Sequence, residues 1–111
     1  MDLSIATEAH ADAHVVDVGG DLDVYTAPQL KAALDGLVSE PKTAVLDLSR
    51  VHFIDSTALG VLAAALQEKR AAGGEIYLVI GDPHLLKIFR ITGFHALFRV
   101  FSGLEQALEA V

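Results

Sequence analysis

The order in which hydrophobic periodicity changes along the chain constrains its fold more than any single motif does. Two short apolar runs come first, Leu3 to Ala6 and Val15 to Val18, with the polar stretch Glu8 to Ala13 between them, which reads as a β-hairpin. From there the pattern alternates. Leu30, Ala33, Leu34 and Leu37 recur at helical spacing, Thr43 to Leu48 is a short apolar run suited to a strand covered on both faces, and Leu59, Leu62 and Leu66 return to a helical stripe before Gln67-Glu68-Lys69-Arg70 leads into water. Ile76 to Ile80 is the most strand-like segment; Leu85, Leu86, Ile88 and Phe89 mark a third helix, Phe98 to Phe101 a last strand, and Leu104, Ala107, Leu108 and Val111 a terminal helix. The order β-β-α-β-α-β-α-β-α over 111 residues implies one α/β domain spanning 1-111, a mixed β-sheet opened by a β-hairpin and continued by parallel strands with right-handed crossovers. Strand order does not follow from the pattern.

Local signals place the helix ends. Thr26-Ala27-Pro28-Gln29 reads as a capping box with proline in the first turn, Pro41 as the stop of that helix, Asp82-Pro83 as the start of the third and Gly93 as its C-terminal glycine. Ser102-Gly103-Leu104-Glu105 reads as a second capping box.

The polar triplet Asp55-Ser56-Thr57 stands where the buried strand ends and the central helix begins. Any of the three can cap that helix. The join also lies at the carboxyl end of a strand, where open α/β sheets carry their sites, and a helix N-terminus favours a phosphate. Gly19-Gly20-Asp21-Leu22-Asp23 follows the second strand in the same way; it matches no phosphate-loop spacing, and its aspartates would repel phosphate.

Other chemistries find little support. The formal charge of −7 and the lack of any basic cluster beyond Lys69-Arg70 argue against a nucleic-acid partner. The absence of cysteine excludes a disulfide framework, a zinc ribbon and a thiol nucleophile. His10 and His14 come near ligand spacing around Asp12, but without a third strong ligand no metal or other cofactor is expected; His52, His84 and His95 are isolated. Ser56 lacks the flanking glycines of a nucleophile elbow, with Ile54 and Ala58 in their places, so an enzyme is not expected. Met1-Asp2-Leu3-Ser4 has no signal-peptide character and no apolar run reaches membrane-spanning length, which leads to the expectation of a cytoplasmic protein with no membrane partner. Phe94, Leu97, Phe98 and Phe101 form a cluster better read as core than as a partner patch.

Asp55-Ser56-Thr57-Ala58-Leu59-Gly60 resembles the Asp-Ser-Ser/Thr-Gly/Ala-Leu-Gly signature of the STAS domain in bacterial anti-sigma factor antagonists. Gly20 to Pro28 is similar to the acidic segment that opens the first helix in that family, and Ile91-Thr92-Gly93-Phe94 with Leu97-Phe98 resembles its C-terminal third. The resemblance implies a single STAS domain and a regulatory binding protein. Its unphosphorylated form would bind an anti-sigma factor, a serine kinase, and free a sigma factor; phosphorylation of Ser56 would switch it off and a serine/threonine phosphatase would reset it. Thr57 is the competing acceptor, and Asp23, Asp55, Ser56, Thr57, Leu59 and Gly60 are the expected partner surface. The alternative is a STAS scaffold or sensor subunit of a larger signalling assembly without a phosphorylation cycle. Ala58 in place of the commoner glycine suggests a position that is already helical.

Overall fold

A computed structural model describes residues 3–111; Met1 and Asp2, which open the segment read above as lacking a signal peptide, lie outside the described residues. The elements are β1 (Ser4–Ala9), β2 (Ala13–Gly19), α1 (Ala27–Asp35), β3 (Thr43–Arg50), α2 (Ser56–Ala71), β4 (Ile76–Val79), α3 (Pro83–Thr92), a 3-10 turn (Phe94–Ala96), β5 (Arg99–Phe101) and α4 (Leu104–Glu109). The expected alternation is present throughout. In space the strands keep their chain order, β1-β2-β3-β4-β5, with β1 antiparallel to β2 and every later pair parallel.

Alternation along each central strand divides the core between two faces. Val16 and Val18, Ala44, Leu46 and Leu48, and Ile76, Leu78 and Ile80 pack with Leu30 and Leu34 of α1, with Ala58, Leu59, Leu62 and Leu66 of α2, and with Leu85 and Phe89 of α3. The opposite face carries a smaller cluster, Ala13, Val15, Val45, Tyr77 and Val79, covered by Ala107, Leu104 and Leu108 of α4. Three helices therefore cover one face, and α4 lies on the other.

Several local expectations are corrected. The hairpin is longer and its turn tighter than Glu8 to Ala13, because Glu8 and Ala9 remain paired with Val15 and His14 and only His10 to Asp12 lies between the strands. The Thr26–Gln29 capping box of α1 is not made: Thr26 is the N-cap without a side-chain cap bond and bonds to Asp21 and Asp23 instead, while Gln29 Nε2 donates to the Leu3 carbonyl oxygen at 2.8 Å. Helix α1 ends at Asp35, before Pro41. At α4 Gly103 is the N-cap, with no side-chain cap bond, so the Ser102–Glu105 box is not made. Asp82 does cap α3, accepting from His84 N at 2.8 Å, and Gly93 closes it in the left-handed region at φ 78°. Of the C-terminal cluster, Phe98 is buried and Phe94 and Phe101 are half-buried, whereas Leu97 remains exposed.

Candidate functional site

The loops that follow β2 and β3 are fastened to each other beyond the ends of their strands. Leu22 N donates to the Phe53 carbonyl oxygen at 3.0 Å and Asp55 N to the Leu22 carbonyl oxygen at 2.9 Å, a single parallel bridge centred on Leu22 and Ile54. Both side chains are buried, so the two loops share an apolar anchor as well as hydrogen bonds.

Asp55 completes the junction. One carboxylate oxygen, Oδ1, accepts from Ala58 N at 3.0 Å and caps α2; the other, Oδ2, accepts from Val24 N at 2.9 Å in the neighbouring loop. Asp23 builds the approach to α1 in a similar manner. Its Oδ1 accepts from Tyr25 N and Thr26 N, at 2.9 and 3.0 Å, while Thr26 Oγ1 accepts from Asp23 N and donates to the Asp21 carbonyl oxygen. This reciprocal Asp-x-x-Thr arrangement closes the turn that leads into α1, whose N-cap, Thr26, makes no side-chain cap bond. Both aspartates are therefore structural braces as well as negative charges.

Ser56 is the first residue of α2, and both it and Thr57 are exposed. Ala58 N is bonded to the Asp55 carboxylate and Leu59 N to the Asp55 carbonyl oxygen, which leaves the Ser56 and Thr57 N–H groups without a protein acceptor among the described residues. The chain thus presents a hydroxyl beside two uncommitted donors at the positive end of a sixteen-residue helix. No side chain among the described residues hydrogen-bonds Ser56; the nearest histidine in sequence, His52, engages Asp82 through Nδ1 instead. That bond, with the donation from His84 N, holds the Asp82 carboxyl below its usual range.

The remaining expected surface residues divide. Gly60 is exposed on α2, and a Cβ there would meet nothing within 4 Å. Leu59 is 2% exposed and belongs to the core, which corrects its placement on the partner surface. Ala58 is buried inside the helix, as its side chain suggested. His10 and His14 separate: His10 stands near Glu8 at 3.8 Å and His14 near Glu40 at 3.6 Å, and no group of three metal-binding side chains gathers among the described residues.

The sequence reading missed an apolar contribution. Val24, Tyr25 and Phe53 come from the two bridged loops and are 53%, 87% and 43% exposed. A signal was present in one loop, where Val24-Tyr25 interrupts an acidic segment; Phe53, between the buried Val51 and Ile54, carries none. A groove of about 270 Å³ then runs from Thr57 and Gly60 between α2 and α1, over Leu34 and Val61 and past Lys31, Asp35 and Glu68.

Comparison with known proteins shows the family. The STAS domain model matches residues 4–107. The chain belongs to the STAS domain family. It is 35% identical over 106 residues to an anti-sigma-B factor antagonist of Staphylococcus epidermidis, covering 95% of this chain and 98% of that relative. An anti-sigma factor antagonist from Mycobacterium paratuberculosis, solved as a crystal structure, superimposes with a TM-score of 0.89 at 33% identity, over 99% of this chain and 94% of that one. The Bacillus cell fate determinant SpoIIAA in its phosphorylated form shares the fold, with a TM-score of 0.71 at 21% identity over 96% of this chain and 98% of its own. Within this STAS domain the bridged loops, the Asp55 cap and the exposed Ser56 form one continuous surface at the carboxyl ends of β2 and β3, and no helix among the described residues is long and apolar enough to cross a membrane.

Proposed function

We propose that this STAS domain is an anti-sigma factor antagonist whose surface around Ser56 docks an anti-sigma factor and frees a sigma factor. The observation that carries the reading is the exposed Ser56 hydroxyl on the first turn of α2, beside two N–H groups with no acceptor among the described residues. The names of the relatives it matches at about a third identity point the same way. Val24, Tyr25 and Phe53 supply the apolar contact that a protein partner requires, and Asp23, Asp55, Thr57 and Gly60 complete the surface. Gly60 favours this use: a helix interior normally prefers alanine, and a bare backbone at an open position lets a partner approach closely.

The anti-sigma factor is itself the serine kinase in this reading. Phosphorylation of Ser56 adds about −1.5 to −2 charges. The domain tolerates that charge because the free N–H groups and the helix dipole stabilise it. A docked partner does not, since the phosphate would be enclosed at an interface that already contains Asp23 and Asp55. A serine/threonine phosphatase restores the binding form. Thr57 is the alternative acceptor one position further on.

Capture of the anti-sigma factor by the purified domain, combined with intact-mass measurement before and after incubation with that factor and ATP, tests both halves. Wild type and Ser56→Ala bind, Ser56→Asp does not, and a single phosphate is added to wild type but not to Ser56→Ala. A phosphate that persists in Ser56→Ala and disappears in Thr57→Ala moves the acceptor to Thr57. Undiminished capture by Ser56→Asp, with no phosphate on any form, leaves the alternative: a STAS scaffold or sensor subunit in which Asp55-Ser56-Thr57 is a helix cap and docking surface only.

A further inference from the structure

Charge is distributed unevenly along this chain. Between Pro83 and Leu104 there is no aspartate or glutamate, although the whole carries −7, and Lys87, Arg90 and Arg99 fall there together with His84 and His95. Helix α3, the 3-10 turn and β5 border an open cleft of about 400 Å³ in this region. Its apolar lining is Ile80, Leu86 and Val100, on the helix-covered face of the sheet, and its polar groups are Arg90, His95 and Ser102. It sits beyond the carboxyl ends of β4 and β5, which stay joined beneath it where Ile80 N donates to the Phe101 carbonyl oxygen at 2.9 Å. Ligands of open parallel sheets bind on that side, and the volume lies in the range of small-molecule sites.

The polar groups are uncommitted. The Arg90 guanidinium has no ion-pair partner among the described residues, whereas Arg50 pairs with Asp17 and Arg70 with Glu75. His95 directs Nδ1 toward the Phe89 carbonyl oxygen at 3.4 Å, and its Nε2 has no partner among the described residues. In a strongly acidic protein, an arginine that pairs with no carboxylate among the described residues, beside an apolar cleft, attracts an anion.

We propose that this cleft is a binding site for a small organic anion, with one carboxylate, sulfonate or phosphate group held by Arg90 and the Ser102 hydroxyl. The flat apolar body of that ligand lies against Ile80, Leu86 and Val100. The site uses none of the residues around Ser56 and stands independently of the proposed switch.

A fluorescence titration of the full chain with 8-anilinonaphthalene-1-sulfonate tests the assignment, with neutral N-phenyl-1-naphthylamine as the uncharged control and amide chemical shifts to locate the site. The sulfonate should bind at least about tenfold more tightly than the neutral control and move the amides of Arg90, His95 and Ser102. Arg90→Gln, a surface substitution that leaves the fold intact, should lose about tenfold in affinity, and Val100→Phe should reduce binding by filling the cleft. Absence of binding overturns the proposal, as does equal affinity for the neutral control or wild-type affinity in Arg90→Gln. Shifts confined to Val24, Tyr25 and Phe53 also overturn it, since they would assign the dye to the exposed apolar loops.

Discussion

Helix α2 begins at Ser56, on the surface, and its last turn carries Lys69, which has no solvent exposure. At the first end the dipole is positive and two N–H groups await an acceptor. Near the other end a cation is used internally: Lys69 Nζ donates at 2.7 Å to the carbonyl oxygen of Leu37, in the turn that follows α1. Both ends obey the same electrostatics, yet one is left open for chemistry and the other is closed to fasten two helices together. Stability should therefore depend on the Lys69 end and switching on the Ser56 end.

The strongest attempt to break that division is Lys69→Ala. The substitution removes a fully buried side chain and leaves the Leu37 carbonyl without its partner, so a loss of about 2–4 kcal/mol is expected in urea unfolding. Lys69→Met keeps most of the stem and should cost about 1–2 kcal/mol. A wild-type midpoint for Lys69→Ala would remove the structural role assigned to this end. Burial also pushes the Lys69 pKa below its ordinary value, with a smaller opposing influence from Glu40. Between the folded pKa and the unfolded value of 10.5 the unfolded chain binds more protons, so stability rises with pH through that window and is lower below it. Lys69→Met should flatten this rise; an unchanged slope would assign it to other groups.

Asp55→Ala comes next, at about 1–2 kcal/mol, because it removes both the α2 cap and the bond to Val24 N. Its second effect separates it from Lys69→Ala. Loosening the bridged loops should weaken partner capture even under conditions where the variant remains folded, and intact capture by the folded variant would make Asp55 a stability residue alone.

Gly60→Ala should act with opposite sign on the two properties. With open space around the new Cβ, the free domain gains about 0.5–1 kcal/mol from helix propensity. Partner capture should fall, since the added methyl stands on the docking surface. Stabilisation together with unchanged capture would place Gly60 outside the interface.

How far these roles were legible in the sequence depends on whether local pattern or distant contact decides them. Element order was legible because β3 and β4 are buried on both faces and the helices keep apolar stripes. The extent of β1 was not, since an exposed edge strand such as Ser4–Ala9 has little apolar alternation to follow. Thr26 and Gln29 have the spacing of a capping box, but Gln29 is taken by Leu3, 26 residues away in the chain. Lys69 looked like part of a run entering water; its burial depends on the Leu37 carbonyl, 32 residues away. Ser56 and Asp55 were legible as the join between a strand and a helix. Phe53, Val24 and Tyr25 emerge as one surface only once the Leu22–Ile54 bridge joins their loops.

The smallest stability effect expected is also the most discriminating. Ser56 is exposed on the first turn of α2 and no side chain among the described residues hydrogen-bonds it, so Ser56→Ala should stay within about 0.5 kcal/mol of wild type. Ser56→Asp should be slightly more stable than Ser56→Ala, by about 0.3–1 kcal/mol at low ionic strength, because a negative side chain in the first turn interacts favourably with the helix dipole. Salt should erase most of that difference, since the position is solvent-exposed. If Ser56→Asp is instead the less stable of the two, repulsion from Asp23 and Asp55 outweighs the helix N-terminus, and a phosphate there would oppose the fold as well as the partner. If it is more stable and does not bind, the negative charge acts at the interface alone, as a switch at the open end of α2 requires.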